Sequence, residues 1–316
     1  MRALVVDPNL TFRSHCPDPA PTAGETIVRV SVAGICGTDL ELMRGYMGYR
    51  GIPGHEFVGR VAETNDPKLR GQRVVGEINA ACGRCSYCRG GLARHCPERT
   101  VLGILGRDGA FAEYLRLPDE NLLPVPDSIP DETAVFTEPL AAAYEIFEQL
   151  HIARDRPILV LGDGRLGALI ALALKREGYL PIVAGHHHEK LGRLASLGLS
   201  TSLEHDLKDR FDYVVDSTGR GDGLRRATEL AKPRGTIILK STAAAGAALN
   251  LTPVVINEIT VLGSRCGRFA PALAALERGT LDPRALIDGT FPLEEGAAAM
   301  EAAEETSNFK ILLKPS

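Results

Sequence analysis

Four cysteines, Cys82, Cys85, Cys88 and Cys96, fall within one run of fifteen residues at the spacing C-x2-C-x2-C-x7-C. Any fold this chain adopts must wind that run tightly, and Gly83, Gly90 and Gly91 permit the bends that turn four sulfurs inward. Four thiolates suit a tetrahedral Zn²⁺ in a closed structural site, because soft sulfur fills every coordination position and leaves none for a substrate. An iron–sulfur cluster accepts the same donors and is the second reading. The total of seven cysteines is odd, so a disulfide framework is disfavoured and a reducing, cytoplasmic setting is expected.

The 316 residues suffice for about two domains. Up to about residue 135 the apolar runs are short, as in Thr26 to Val32, Phe57 to Val61 and Ala112 to Leu117, with Gly and Pro between them; this reads as a β-rich region. From Glu138 onward, Ala/Leu-rich helical stretches alternate with strand-like runs at Ile158 to Leu161, Leu180 to Ala184, Tyr213 to Asp216 and Thr236 to Leu239. Such alternation predicts a doubly wound parallel sheet with helices on both faces. The tail after Ser264, ending in the strand Lys310 to Leu313, is expected to return to the first domain. The division is therefore 1–140 completed by 269–316, and 141–268. With 36 basic against 40 acidic residues and no basic block, nucleic acid is not an expected partner. No apolar run approaches the roughly 18 residues of a membrane span, so no membrane is expected either.

Pro157 to Leu161 runs into Gly162-Asp163-Gly164-Arg165-Leu166-Gly167 and then a helical stretch. A G-x-G-x-x-G motif between a strand and a helix is the context of a dinucleotide pyrophosphate site, with glycines allowing close approach and the helix N-terminus supplying donors. About twenty residues on, where an Asp or Glu normally meets the ribose hydroxyls, the chain has Gly185, followed by His186, His187, His188, Glu189 and Lys190. Loss of that carboxylate removes repulsion against a 2′-phosphate, and His186, His187 and Lys190 offer donors to it. NADP is favoured over NAD on this ground. Thr218, just past the strand Tyr213 to Asp216, completes the cofactor-binding candidates. Lys240 ends another strand, where the solvated reading of a lysine outweighs a contact to cofactor or substrate.

Elsewhere stand Gly34-Ile35-Cys36-Gly37-Thr38-Asp39, Gly54-His55-Glu56-Phe57-Val58-Gly59 and Thr137-Glu138-Pro139-Leu140. With the four-cysteine run, Gly109 to Tyr114 and the ending Phe309 to Lys314, these motifs resemble the zinc-dependent medium-chain alcohol/polyol dehydrogenases, in the branch of the sorbitol, threonine and glucose enzymes. The resemblance covers essentially the whole chain and implies a GroES-like catalytic domain joined to a Rossmann domain. It implies that Cys36, His55 and an acid, either Glu56 or Glu138, hold a catalytic zinc, so that the chain carries two zincs in all. One thiolate, one imidazole and one carboxylate leave a coordination position open for an alcohol, whose pKa the metal lowers. By the same resemblance Asp39 orients the liganding imidazole, Thr38 relays the alcohol proton, and Glu41 stands where many glucose dehydrogenases have an acid. The segment from Cys36 to His55 is shorter than in better-known relatives.

The expected reaction is hydride transfer between a secondary alcohol, sugars or polyols favoured, and NAD(P), in a homodimer or homotetramer built on the edge strand Ile259 to Leu262. Two other readings stay open. An aliphatic secondary-alcohol dehydrogenase would want an apolar pocket, and a non-catalytic redox sensor or scaffold would need the dinucleotide and only the four-cysteine zinc.

Overall fold

The computed structural model describes residues 1–241 and 250–315. The chain divides into two compact units, Met1–Glu138 with Arg268–Ser316, and Pro139–Gly267.

In the first unit, apolar residues alternate along Glu25–Gly34, and this ten-residue strand is the axis of a seven-stranded sheet. Glu56–Glu63 and Tyr114–Pro118 pair with it antiparallel, as does Lys310–Lys314 near the end of the chain. Lys310–Lys314 in turn pairs in parallel with Ile287–Pro292. The register puts Gly34 opposite both Glu56 and Leu312. The segment following Gly34, the start of Glu56–Glu63 and the start of Lys310–Lys314 therefore converge at one end of the sheet. The helix Gly37–Met43 begins there, with Asp39 accepting the backbone N–H of Cys36 at 2.8 Å and so closing its first turn.

The second unit is built on a six-stranded parallel sheet in the order Ser200–Leu203, Leu180–Gly185, Pro157–Leu161, Phe211–Asp216, Ala231–Leu239, Thr260–Gly263. Its central strands are apolar on both faces, as burial beneath two helical layers requires; Leu159, Leu161, Val214 and Ile237 are fully buried. The helix Arg165–Arg176 follows the first of these strands and buries Ala168, Leu169, Ile170 and Leu174. Each large side chain among these contributes about 2 kcal/mol by leaving water. The edge strand lies one residue beyond its expected place, at Thr260–Gly263, and is largely exposed. Among the described residues no helix is long and apolar enough to cross a membrane.

Candidate functional site

At the converging end of the first sheet, one ligand atom from each of Cys36, His55 and Glu56 lies within 4.8 Å of the others. Cys36 caps the helix Gly37–Met43, and Glu56 opens its strand. Gly34, opposite Glu56, leaves space that no other residue leaves: a Cβ there would stand 2.3 Å from Glu56 Oε2. Asp39 is fully buried, with Oδ1 3.3 Å from His55 Nδ1 and 3.3 Å from the Gly54 nitrogen that donates to it. Burial alone would depress the His55 pKa, but the anionic partners Asp39 and Cys36 hold it well above the ordinary value.

Lys310 is the residue that sequence reasoning missed. Its ammonium is 3% exposed and donates to Glu56 Oε2 at 2.5 Å and to the Ile35 carbonyl at 3.2 Å. That leaves Glu56 Oε1 buried without a hydrogen-bond partner. A buried acceptor is rarely left unpaired, and an orphaned carboxylate oxygen within a cysteine–histidine–glutamate cluster suits a cation-binding role. The donor set of sulfur, nitrogen and oxygen fits Zn²⁺.

Glu138, in the first turn of the helix Thr137–Gln149, is also buried. Burial, countered by His55 and reinforced by Glu56, pushes its pKa up to about 7. A carboxyl whose pKa rises on folding is held more tightly as the acid in the native state. Its contribution to stability is complete below the unfolded value of about 4.3 and is lost as the pH climbs through about 7. In metal-stripped protein this one group is expected to remove roughly 3 kcal/mol between about pH 4 and 8. Glu138→Gln should flatten that slope and melt above the parent at about pH 8. Parallel melting curves for the two proteins across this range would refute the assignment.

The four cysteines of the run come together as a second cluster, all four sulfurs within 4.8 Å of one another. Cys85 and Cys88 are 3.4 Å apart, Cys85 and Cys96 3.8 Å, and Cys82 and Cys88 4.0 Å. A tetrahedron of Zn–S bonds of about 2.3 Å has edges of about 3.8 Å, so the sulfurs already stand at the right separation. Backbone N–H groups of Cys82 and Cys88 point at Cys96 and Cys85 sulfur, each at 3.5 Å. The backbone N–H of Arg84 helps draw the Cys82 thiol down to about 7, while burial and neighbouring thiols push Cys88 up to about 12. Gly83 and Gly91 take positive φ, 70° and 77°; Gly90 does not, so only two of the three expected glycine bends are left-handed.

In the second unit the glycine loop divides its tasks. Gly162 has φ 107°, and a Cβ at Gly167 would meet the Gly162 carbonyl at 2.0 Å; the space at Gly164 is open. The helix Arg165–Arg176 starts there without a side-chain cap, leaving its first N–H groups for an anion, with Arg165 and Leu166 half-buried beside them. The groups expected to meet a 2′-phosphate are committed elsewhere. His187 Nδ1 lies 3.0 Å from Asp163, His186 Nε2 lies 2.9 Å from Glu204, and Lys190 is buried. Gly185 lies against Asp163, and a Cβ on it would stand 2.2 Å from that carboxylate.

Of the remaining candidates, Thr38 Oγ1 is 3.9 Å from Cys36 Sγ and half-buried. Glu41 accepts from Arg44 at 2.6 Å in an exposed ion pair that also reaches Glu304. Thr218 donates its hydroxyl to Asp216 at 2.8 Å. Lys240 is not a solvated strand end; it is buried and donates to the carbonyls of Ala142 and Arg265 and to Ser264.

Residues 22–127 match the alcohol dehydrogenase GroES-like domain family, and residues 166–278 match the zinc-binding dehydrogenase family. An L-threonine 3-dehydrogenase of Xanthomonas campestris pv. campestris is 32% identical over 78% of each chain. A sorbitol dehydrogenase of Halalkalibacterium halodurans is 27% identical over 95% of this chain and 94% of its own. The structure of a short chain alcohol dehydrogenase (rspB) from E. coli CFT073, complexed with the cofactor NADH, superposes with TM-score 0.92 at 26% identity, over 99% of both chains.

Proposed function

The chain belongs to the zinc-dependent medium-chain alcohol/polyol dehydrogenase family, and we propose that its substrate is a secondary alcohol on a polyol or sugar. It is an NAD(P)-dependent alcohol oxidoreductase. The observation that carries the site assignment is the clustering of Cys36, His55 and Glu56 together with the unpaired buried Oε1 of Glu56. These three residues hold the catalytic zinc, Glu138 is the acid that can exchange with Glu56, and Cys82, Cys85, Cys88 and Cys96 hold a second, structural zinc. When bound, the zinc polarises the alcohol oxygen and the nicotinamide accepts the hydride.

The protein's own side chains do the rest. Asp39 fixes the ring of His55 and leaves its other nitrogen to face the metal. Lys310 holds Oε2 of Glu56 so that Oε1 stays available as a ligand. Thr38 Oγ1 accepts the alcohol proton and passes it outward. Glu41, paired with Arg44, is assigned no part in the proton path.

The polyol preference draws on the relatives named sorbitol dehydrogenase and L-threonine 3-dehydrogenase, whose substrates carry further polar groups beside the alcohol. We assign a homodimer or homotetramer through the edge strand Thr260–Gly263, where Val261 is 38% exposed and the neighbouring Val255 and Ile256 are 74% and 73% exposed. One preparation tests these points together, through metal content, mass by light scattering and nucleotide-coupled turnover. Expected are two zincs per chain, an oligomer, and kcat/KM at least tenfold higher for polyols than for simple aliphatic secondary alcohols. One zinc per chain with no turnover on either class would instead favour the scaffold.

A further inference from the structure

Two oddities of the dinucleotide loop, an acid inside the glycine motif and a glycine where the ribose acid belongs, are one feature in space. The strands Pro157–Leu161 and Leu180–Gly185 run in parallel with Leu161 beside Ala184, and the Gly162 N–H donates to the Ala184 carbonyl at 2.8 Å. Asp163 is therefore delivered directly alongside Gly185. Its Cγ and Oδ2 lie 2.2 Å, and its Cβ 2.5 Å, from where a Cβ on Gly185 would be. The carboxylate occupies the volume in which a side chain at position 185 would begin, and only glycine at 185 tolerates it.

We propose that Asp163 supplies, from the glycine loop, the carboxylate that dinucleotide folds ordinarily supply from the end of the second strand, and that it selects the 2′-hydroxyl of NAD against the 2′-phosphate of NADP. This rests on the dehydrogenase reading above and names the residue that sets its nucleotide. Asp163 is oriented by the backbone N–H of His187 at 2.8 Å and by the His187 ring at 3.0 Å. A carboxylate offers about four lone-pair sites, so acceptor capacity remains for ribose hydroxyls after both contacts. Burial would raise the pKa of Asp163, but the His187 contacts outweigh it and keep the group below the ordinary carboxylate value, hence charged near neutral pH. A charge so shielded from water repels a nearby phosphate strongly.

The surrounding donors are already engaged by carboxylates. Glu204, itself buried, pairs with His186 at 2.9 Å, with Arg220 at 3.3 Å and with Arg226 at 3.3 Å. Arg220 is held from its other side by Asp222 at 2.9 Å. A 2′-phosphate would have to displace these carboxylates while facing Asp163.

The test is titration of the zinc-loaded protein with NADH and with NADPH, followed by nicotinamide fluorescence. The chain contains no Trp, which simplifies the background. The parent should bind NADH at least tenfold tighter than NADPH. Asp163→Asn, which keeps the shape and the acceptor for the His187 N–H, should bring the two affinities to within about threefold. Moving the acid back to the strand end, with Asp163→Gly and Gly185→Asp together, should restore the NADH preference. A parent that binds NADPH as tightly as NADH overturns the assignment, as does an Asp163→Asn protein that melts like the parent and keeps its tenfold ratio. Failure of the parent to bind either nucleotide would overturn the dehydrogenase reading along with it.

Discussion

Cys36→Ser is expected to lower turnover by about a thousandfold or more while the protein keeps one zinc per chain and melts close to the parent. Cys36 Sγ, His55 and Glu56 lie within 4.8 Å of one another, and the sulfur of Cys36 is the one soft donor of the set. A serine hydroxyl does not ionise near neutral pH, so the substitution removes both charge and softness and the metal is lost or loosely held. Lewis-acid activation of the alcohol is worth several kcal/mol, and about 4 kcal/mol corresponds to a thousandfold in rate. Stability should change little, since Cys36 is half-buried and the first turn of its helix is closed by Asp39 through the backbone N–H, which serine retains. Zinc content and turnover on one preparation check both halves. A Cys36→Ser protein that keeps two zincs, or most of its rate, would remove Cys36 from the catalytic centre.

The site was legible in sequence wherever its parts are neighbours in sequence. Cys82 to Cys96 is one run, and the glycine motif sits between its own strand and helix, so spacing alone describes the local geometry. Lys310 was not legible. Its partner Glu56 lies 254 residues away, and the contact exists because Lys310–Lys314 and Glu56–Glu63 both flank Glu25–Gly34 in one sheet. No local pattern carries that information; a lysine opening an apolar strand gives no sign that its ammonium is buried. Asp163 shows a different loss. The acid at 163 and the glycine at 185 are each visible in the sequence, and only the pairing of their strands makes one the reason for the other. Glu41, three residues before Arg44 in the same helix, shows a partner that spacing alone does not single out.

Cys96→Ser is expected to release the cysteine run from its fold and raise tryptic cleavage there by one to two orders of magnitude, with zinc content falling from two per chain to one. From residue 81 to 95 no side chain is buried; Tyr87 and Leu92, its large apolar residues, are 48% and 51% exposed. The segment therefore has no hydrophobic core of its own. Ordering its backbone costs about 1 to 2 kcal/mol per residue, and its secondary structure is one short helix, Ser86–Arg89, and a single 3₁₀ turn. What remains to hold it is the sulfur cluster, and structural zinc in small peptides supplies about 10 to 16 kcal/mol of binding free energy that appears as folding free energy. Cys96 is the one fully buried member and reaches Cys85 sulfur at 3.8 Å, so its loss opens the cluster from inside. Arg84, Arg89 and Arg94 lie within the run and make trypsin a direct reporter of its release. The parallel sheet of the second unit has its own core and is expected to keep its resistance, which separates local release from general unfolding. If Cys96→Ser resists trypsin as the parent does, the run is held by something other than metal.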